Sequence, residues 1–348
     1  MRVELPKFIE VGKNKITELF DILNGRNLNF NRALLLGDRK TFILGGNRIA
    51  QDFKTRGVSV SRFFVEDSDE ENVEKVADAI KNFEPDIIIG FGGGKVLDVA
   101  KLAAGRKDKN FISMPTTLSN DGIASPVAVI KNEKDIPISH FTIPAYGIVV
   151  DLNVIKKAPI RYLRAGVGDL ISNLSATFDA RLALSQGKEK IEPSALALAE
   201  KGPLDLLKLK GKSIKSQEFL RQLTSGLIKS GFAMCLCGSS RPASGSEHKI
   251  SHSMDYLYPN RNVLHGEQVG ISTIFTMVLQ KNRHLKDVLE LYKAIAFPQK
   301  LKYLSINKGQ FIDVVLNARK FRPKRFTILE AEKLNSAKIK KIVRTTRF

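Results

Sequence analysis

Along the first 150 or so residues, short apolar runs alternate with stretches in which apolar residues recur every three or four positions. The runs 33–36, 58–65, 87–89, 111–113 and 148–150 have the length and branched character of strands. Between them, the stretch from Asp69 to Phe83 places Val73, Val76, Ala77 and Ile80 on one helical face. Strands alternating with helices predict a parallel sheet covered on both sides. Segments 127–130 and 140–143, with Asn132-Glu133-Lys134-Asp135 as the turn, predict an added hairpin.

After Asp151 the period changes. Segments 168–185, 193–210, 216–235, 248–256, 266–281 and 285–296 read as helices, and Pro159, Pro193, Pro203, Pro259 and Pro298 are expected near element ends. The expected fold is an α/β domain with a parallel sheet over residues 1–155, followed by an all-α domain over residues 156–348. No internal repeat interrupts this division.

Composition narrows the class. With 348 residues and 43% hydrophobic content, the chain can bury a sizeable core. No apolar run reaches the roughly 18 residues of a membrane span. The first segment, MRVELPKFIEVGKNK, has neither a signal core nor a transit-peptide composition, so a cytoplasmic location is expected. The two cysteines, Cys235 and Cys237, sit in an apolar stretch and are expected to be buried and inert. The net charge of +20 raises the reading of a basic nucleic-acid binder. The charge is spread along the chain, with a denser tail from Lys338 to Arg347, and no basic stretch is interleaved with aromatics as a base-stacking platform requires. A lysine-rich enzyme that handles anionic ligands fits better, and no nucleic-acid partner is expected.

Two loops carry candidate chemistry. Gly90-Phe91-Gly92-Gly93-Gly94-Lys95-Val96-Leu97-Asp98 follows an apolar strand and opens a helix. Glycines there let backbone approach a diphosphate, and N–H groups at the helix start favour the anion. The spacing differs from the common GxGxxG fingerprint. After the next strand, Pro115-Thr116-Thr117-Leu118-Ser119-Asn120-Asp121-Gly122 and the following Ile123-Ala124-Ser125-Pro126 offer hydroxyls, amides and a carboxylate. Loops at the carboxyl ends of parallel strands are where ligands bind.

Three of the five histidines fall between positions 248 and 265. His248 and His252 share a helical face, and His265 opens the next apolar segment. Neutral imidazoles on adjacent helices suit a divalent ion, zinc in particular. Asp169 stands at the expected start of the first long helix, where it reads as either a third ligand or an N-cap.

Together these motifs resemble the superfamily of glycerol dehydrogenases, iron-alcohol dehydrogenases and dehydroquinate synthases. Within it, GSSRPASGSEH at 238–248 with Ser251-His252, SNDGIASP at 119–126 and FRPKRFTIL at 321–329 are similar to the archaeal sn-glycerol-1-phosphate dehydrogenase family. The resemblance spans nearly the whole chain. It implies a dehydroquinate synthase-like fold: an N-terminal dinucleotide-binding domain, a helical metal- and substrate-binding domain, and a cleft between them. It implies reversible, NAD- or NADP-dependent reduction of dihydroxyacetone phosphate to sn-glycerol 1-phosphate for archaeal membrane phospholipids. Carried over residue by residue, Asp169, His248 and His265 match the metal ligands, His252 the proton relay near substrate, and Asp121 a substrate contact. Gly93, Gly94, Lys95, Val96, Leu97 and Asp98 fall in the diphosphate loop, and Thr116, Thr117, Leu118, Ser119 and Ser125 match cofactor contacts. A homo-oligomer is expected.

One departure bears on the metal. Iron-dependent relatives carry a histidine four residues after the ligand aspartate, and here that position is Asn173. A neutral amide is a poorer transition-metal ligand, which favours a three-ligand Zn²⁺ site. For the cofactor, Asp38 after the strand at 33–36 favours NAD, whereas Arg39 and Lys40 could attract the extra phosphate of NADP. Arg241 and Lys249 are candidates for the substrate phosphate, with surface charge as the other reading.

Overall fold

The computed structural model describes residues 4–26, 28–259 and 261–346. The chain forms two compact units, one of Met1–Leu118 with Gly122–Pro159 and the other of Ser119–Asp121 with Ile160–Phe348.

In the first unit the strands are β1 (Phe8–Gly12), β2 (Arg32–Gly37), β3 (Ser59–Phe64), β4 (Ile87–Gly92), β5 (Phe111–Pro115), β6 (Val127–Lys131), β7 (Pro137–Phe141) and β8 (Gly147–Asp151). Six form one sheet in the order β1-β8-β5-β4-β2-β3, every pair parallel. β6 and β7 form the expected antiparallel hairpin. Every residue of β4, β5 and β8 is buried, which is why these strands read as unbroken apolar runs. Leu35, Ile89, Ile112 and Val149 share one core cluster with Leu19, Leu23 and Phe53. Each such buried side chain contributes about 1.5–3 kcal/mol.

The sequence pattern missed β1. It pairs only with β8, as an edge strand, and the charged Glu10 sits among its few apolar residues, so it carries no continuous run.

Helix α1 (Glu70–Phe83) is capped by Asp69, which accepts the Asn72 N–H at 2.8 Å. Its predicted face, Val73, Val76, Ala77 and Ile80, is buried. Helix α2 (Gly94–Arg106) follows β4 directly. The strand order reverses between β2 and β4: β3 lies outside β2, while β5 and β8 lie beyond β4. The loops leaving the carboxyl ends of β2 and β4 therefore flank the switch point, where open α/β sheets place their ligands.

The second unit is helical: α3 (Ile160–Ser185), α4 (Pro193–Leu207), α5 (Gln217–Cys237), α6 (Ser246–Leu257), α7 (His265–Leu279), α8 (Leu285–Ala294) and α9 (Lys308–Asn317), with α10 (Ser336–Thr345) near the end. The basic tail is mostly the outer face of α10, whose Ile339, Ile342 and Val343 are buried; Arg347 lies outside the described residues. Among the described residues no helix is long and apolar enough to cross a membrane.

Two expectations are corrected here. Helix α3 starts at Ile160, not at residue 168, so Asp169 is an interior helical residue and not an N-cap. Gly166 and Gly168 imitate a helix boundary, but Gly168 is a contact point: a Cβ there would lie 2.1 Å from the Gly266 carbonyl oxygen. Pro203 does not sit near an element end but inside α4. A proline cannot donate to the carbonyl four residues back, here that of Ala199. The Asn173 side chain donates to that oxygen instead, at 3.3 Å.

Candidate active site

The site is assembled by the crossing of α3 and α7. A Cβ on Gly266 would lie 1.9 Å from the Ala165 carbonyl oxygen, and one on Gly270 2.9 Å from the Gly168 Cα. The two helices touch backbone to backbone, and the residues next to those glycines are Asp169 and His265. His248 arrives from the first turn of α6. His248 Nε2 lies 3.3 Å from His265 Nε2, and His265 Nε2 lies 3.7 Å from Asp169 Oδ1. One ligand atom from each of the three falls within 4.8 Å of the others.

This spacing suits an ion. Two nitrogens each about 2.0–2.1 Å from a tetrahedral zinc are about 3.3 Å apart. The protonation states suit it too. Burial pushes the imidazoles of His248, His252 and His265 below the usual histidine range, aided by the Arg322 charge, and leaves them neutral. Burial, with repulsion from Asp121, holds the Asp169 carboxyl well above the usual carboxylate range, so the ionised form needs a cation beside it. Asp169 Oδ2 is occupied by the Asp121 N–H at 2.9 Å, leaving Oδ1 to face the histidines.

Glu247 fixes the His248 ring. Its Oε1 lies 2.9 Å from His248 Nδ1 and accepts the Gly245 N–H at 2.6 Å. A carboxyl group bound to Nδ1–H directs the Nε2 lone pair toward the centre. Glu247→Ala is expected to lower metal affinity about 10- to 100-fold, measured by chelator competition. Unchanged affinity would show that the ring is oriented by other contacts.

Asn173, Ser230 and Asp121 form a relay that the sequence alone did not reveal. Asn173 Nδ2 donates to Ser230 Oγ at 3.0 Å, and Ser230 Oγ donates to Asp121 Oδ2 at 2.7 Å. The amide in the fourth-ligand position is thus engaged with Ala199 and Ser230. His252 lies one turn beyond His248 on α6, and its Nε2 is buried without a protein hydrogen-bond partner. Arg241 and Lys249 are both buried and partnered, which corrects the surface-charge reading: Arg241 Nε donates to Glu189 at 2.8 Å, and Lys249 Nζ to Glu330 at 2.6 Å.

In the first unit, the glycine loop turns directly from β4 into α2. A Cβ on Gly92 would lie 2.4 Å from Val96 Cβ, so only glycine fits. Gly93 is the N-cap and supplies no side chain, which leaves the first N–H groups of α2, those of Gly94, Lys95 and Val96, open to an anion. Val96, Leu97 and Asp98 are buried, and the Lys95 ammonium turns to the Glu66 carbonyl oxygen. Thr116 N–H donates to the Gly92 carbonyl at 2.9 Å, tying the second loop to the first. Thr116, Leu118 and Ser125 are buried, and Ser125 Oγ contacts the Val127 carbonyl at 3.4 Å. Thr117 is half-buried, and Ser119, also half-buried, groups with the helical unit. Buried Lys101 pins the stretch after Asp121 by donating to the carbonyls of Gly122 at 2.8 Å and Val127 at 2.7 Å. Asp38 accepts the Thr41 N–H at 2.8 Å, with Arg39 and Lys40 exposed beside it.

A parallel α/β unit with a helix-borne Asp-His-His cluster defines a class, and the family model of iron-containing alcohol dehydrogenase matches residues 10–159. The chain is 37% identical to glycerol-1-phosphate dehydrogenase [NAD(P)+] of Archaeoglobus fulgidus, over 99% of this chain and 98% of that one. It is 35% identical to the enzyme of the same name from Thermococcus sibiricus, over 99% and 97%. The chain belongs to the glycerol-1-phosphate dehydrogenase family of the iron-alcohol dehydrogenase superfamily, as its motifs suggested. The fold is shared with a probable glycerol dehydrogenase of Sinorhizobium meliloti, with a TM-score of 0.80 and 21% identity over 99% of this chain and 97% of that one.

Proposed function

We propose that the chain is a zinc- and NAD(P)-dependent sn-glycerol-1-phosphate dehydrogenase that reduces dihydroxyacetone phosphate to sn-glycerol 1-phosphate for archaeal membrane phospholipid biosynthesis. The observation that carries this reading is the convergence of Asp169, His248 and His265, with Asp121 bound to Asp169. The relatives' names supply the substrate and the cofactor pair.

Held by Asp169, His248 and His265, zinc supplies Lewis acidity, and bound NAD(P)H supplies the hydride. The chain supplies position and the proton. Asp121, fixed by Ser230, orients the substrate's free hydroxyl. His252 Nε2 passes a proton to the oxygen that was the carbonyl; being neutral, it relays this proton from water and does not store it. The open start of α2 receives the cofactor diphosphate at its N–H groups. Asp38 serves the ribose of NAD, and Arg39 and Lys40 the added phosphate of NADP.

The test is reduction of dihydroxyacetone phosphate by the zinc-loaded protein, followed by nicotinamide absorbance with chiral analysis of the product. The expected product is sn-glycerol 1-phosphate alone. Dihydroxyacetone should show at least about a hundredfold lower kcat/KM, since a site built for a polar group rejects the analogue that lacks it. Comparable efficiency on dihydroxyacetone would instead make the chain a glycerol dehydrogenase. Absence of net cofactor oxidation would point to a reaction that recycles its nicotinamide, as in a dehydroquinate synthase.

A further inference from the structure

The segment 321–328 is strapped down by buried charges. Lys249 Nζ donates to the Arg325 carbonyl at 3.0 Å, and Arg241 Nη2 to the Phe326 carbonyl at 2.6 Å. The Phe326 N–H donates to Glu189 at 2.7 Å, and the Ile328 N–H to Asp179 at 2.9 Å. Lys249 is therefore occupied with backbone and its own carboxylate, and Arg241 is so engaged through Nε and Nη2, its buried Nη1 alone making no hydrogen bond. What this strap presents is a pair of guanidiniums. Arg322 Nη1 donates to Ser240 Oγ at 2.7 Å, and Arg325 Nη2 donates to the same oxygen at 3.2 Å. Arg325 Nη1 donates to the Ser244 carbonyl at 2.8 Å. Arg322 has φ +48°, a left-handed backbone that a non-glycine residue keeps only when its surroundings enforce it.

The pair faces the histidine-bearing helix. Tyr256 of α6 packs edge-on against Phe321, with ring centroids 5.6 Å apart. The charges of Arg322 and Arg325 both reach His252, whose imidazole is lowered first by burial and then by these charges. Like charges crowded into a half-buried place are costly unless an anion joins them. Burial, with Arg322 and Arg241 beside it, pushes the Arg325 guanidinium down to about 9, against the opposing pull of Glu189 and Glu247. Nearby, His252 Nε2 is buried and without a protein partner.

We infer that Arg322 and Arg325, held together by Ser240, form the seat for the phosphate of the substrate, and so set the preference for a phosphorylated ketone over its free counterpart. Guanidinium forks match a phosphate dianion in charge and in geometry. This rests on the phosphorylated-substrate reading above.

The test compares kcat/KM for dihydroxyacetone phosphate and for dihydroxyacetone in the zinc-loaded wild type, Arg325→Gln, Arg325→Lys and Ser240→Ala. It also measures competition by inorganic phosphate against the phosphorylated substrate. Arg325→Gln should lower the ratio of the two kcat/KM values by at least about 30-fold, equivalent to about 2 kcal/mol, mainly through KM. The inhibition constant of inorganic phosphate should rise in parallel. Arg325→Lys should retain part of the ratio, and Ser240→Ala should lower it several-fold. An unchanged ratio and phosphate inhibition in folded Arg325→Gln would overturn the seat and leave the substrate assignment standing. Should the arginine variants not fold, an unchanged ratio in Ser240→Ala overturns it. A wild-type ratio near one would remove the substrate assignment, and the seat with it.

Discussion

His248→Ala is expected to yield a folded protein that retains no stoichiometric metal and reduces its substrate at least about a thousandfold more slowly. His248 contributes one of only two imidazole ligands, and its Nε2 stands 3.3 Å from that of His265. Lewis-acid stabilisation is worth several kcal/mol, and each 1.36 kcal/mol is a factor of ten in rate. The fold should survive because, among the described residues, the ring's other polar bond is to Glu247, which keeps the Gly245 N–H. Loss of that one bond costs about 1–3 kcal/mol. Metal content, circular dichroism and turnover on the same preparation check the prediction. Wild-type turnover after exhaustive chelation would rule out the metal role.

The α/β half was legible because its central strands are buried on both faces. Ile87, Ile88 and Ile89 can sit nowhere but in a covered sheet, and the glycines after them mark the turn into α2. β1 was not, since an edge strand needs apolar residues on only part of its surface. The histidines were legible by spacing, for His248 and His252 must share a helical face. Asp169 was not legible as an interior residue: Gly166 and Gly168 look like a break in the pattern, and only the α3–α7 crossing reveals them as contact points.

Long-range partnerships left the least trace. Ser230 donates to Asp121 across 109 positions of sequence, and nothing in the local pattern of α5 sets it apart from any other helical serine. The exchange of histidine for asparagine at position 173 was visible, and its relevance to the metal could be argued. Its structural consequence could not, because that depends on Pro203, which lies in a different helix. Arg241 and Lys249 stood near the histidines in sequence and drew attention for that reason. The structure spends them on a strap that presents Arg322 and Arg325, residues whose place beside α6 no local periodicity encodes.

Gly266→Ala should be the most damaging single methyl that can be added to the helical unit beside the site. The new Cβ would lie 1.9 Å from the Ala165 carbonyl oxygen and 2.5 Å from its carbon, and both are backbone atoms that no rotamer change can move. Overpacking commonly costs about 1–3 kcal/mol, and a clash with backbone belongs at the top of that range or above it. For a chain of this size each kcal/mol lowers Tm by about 2–4 °C, so a drop of at least about 6 °C is expected. The helices can relieve the overlap only by separating, which moves His265 away from Asp169 and stretches the 3.7 Å gap between them. Metal affinity should therefore fall together with Tm, and activity with both. Gly211→Ala is the matched control, because nothing lies within 4 Å of a Cβ there, and it should stay within about 0.5 kcal/mol of wild type. Thermal melts and chelator titrations of the two variants decide the matter. If Gly266→Ala behaves like Gly211→Ala, the backbone contact between α3 and α7 does not set the spacing of the ligands.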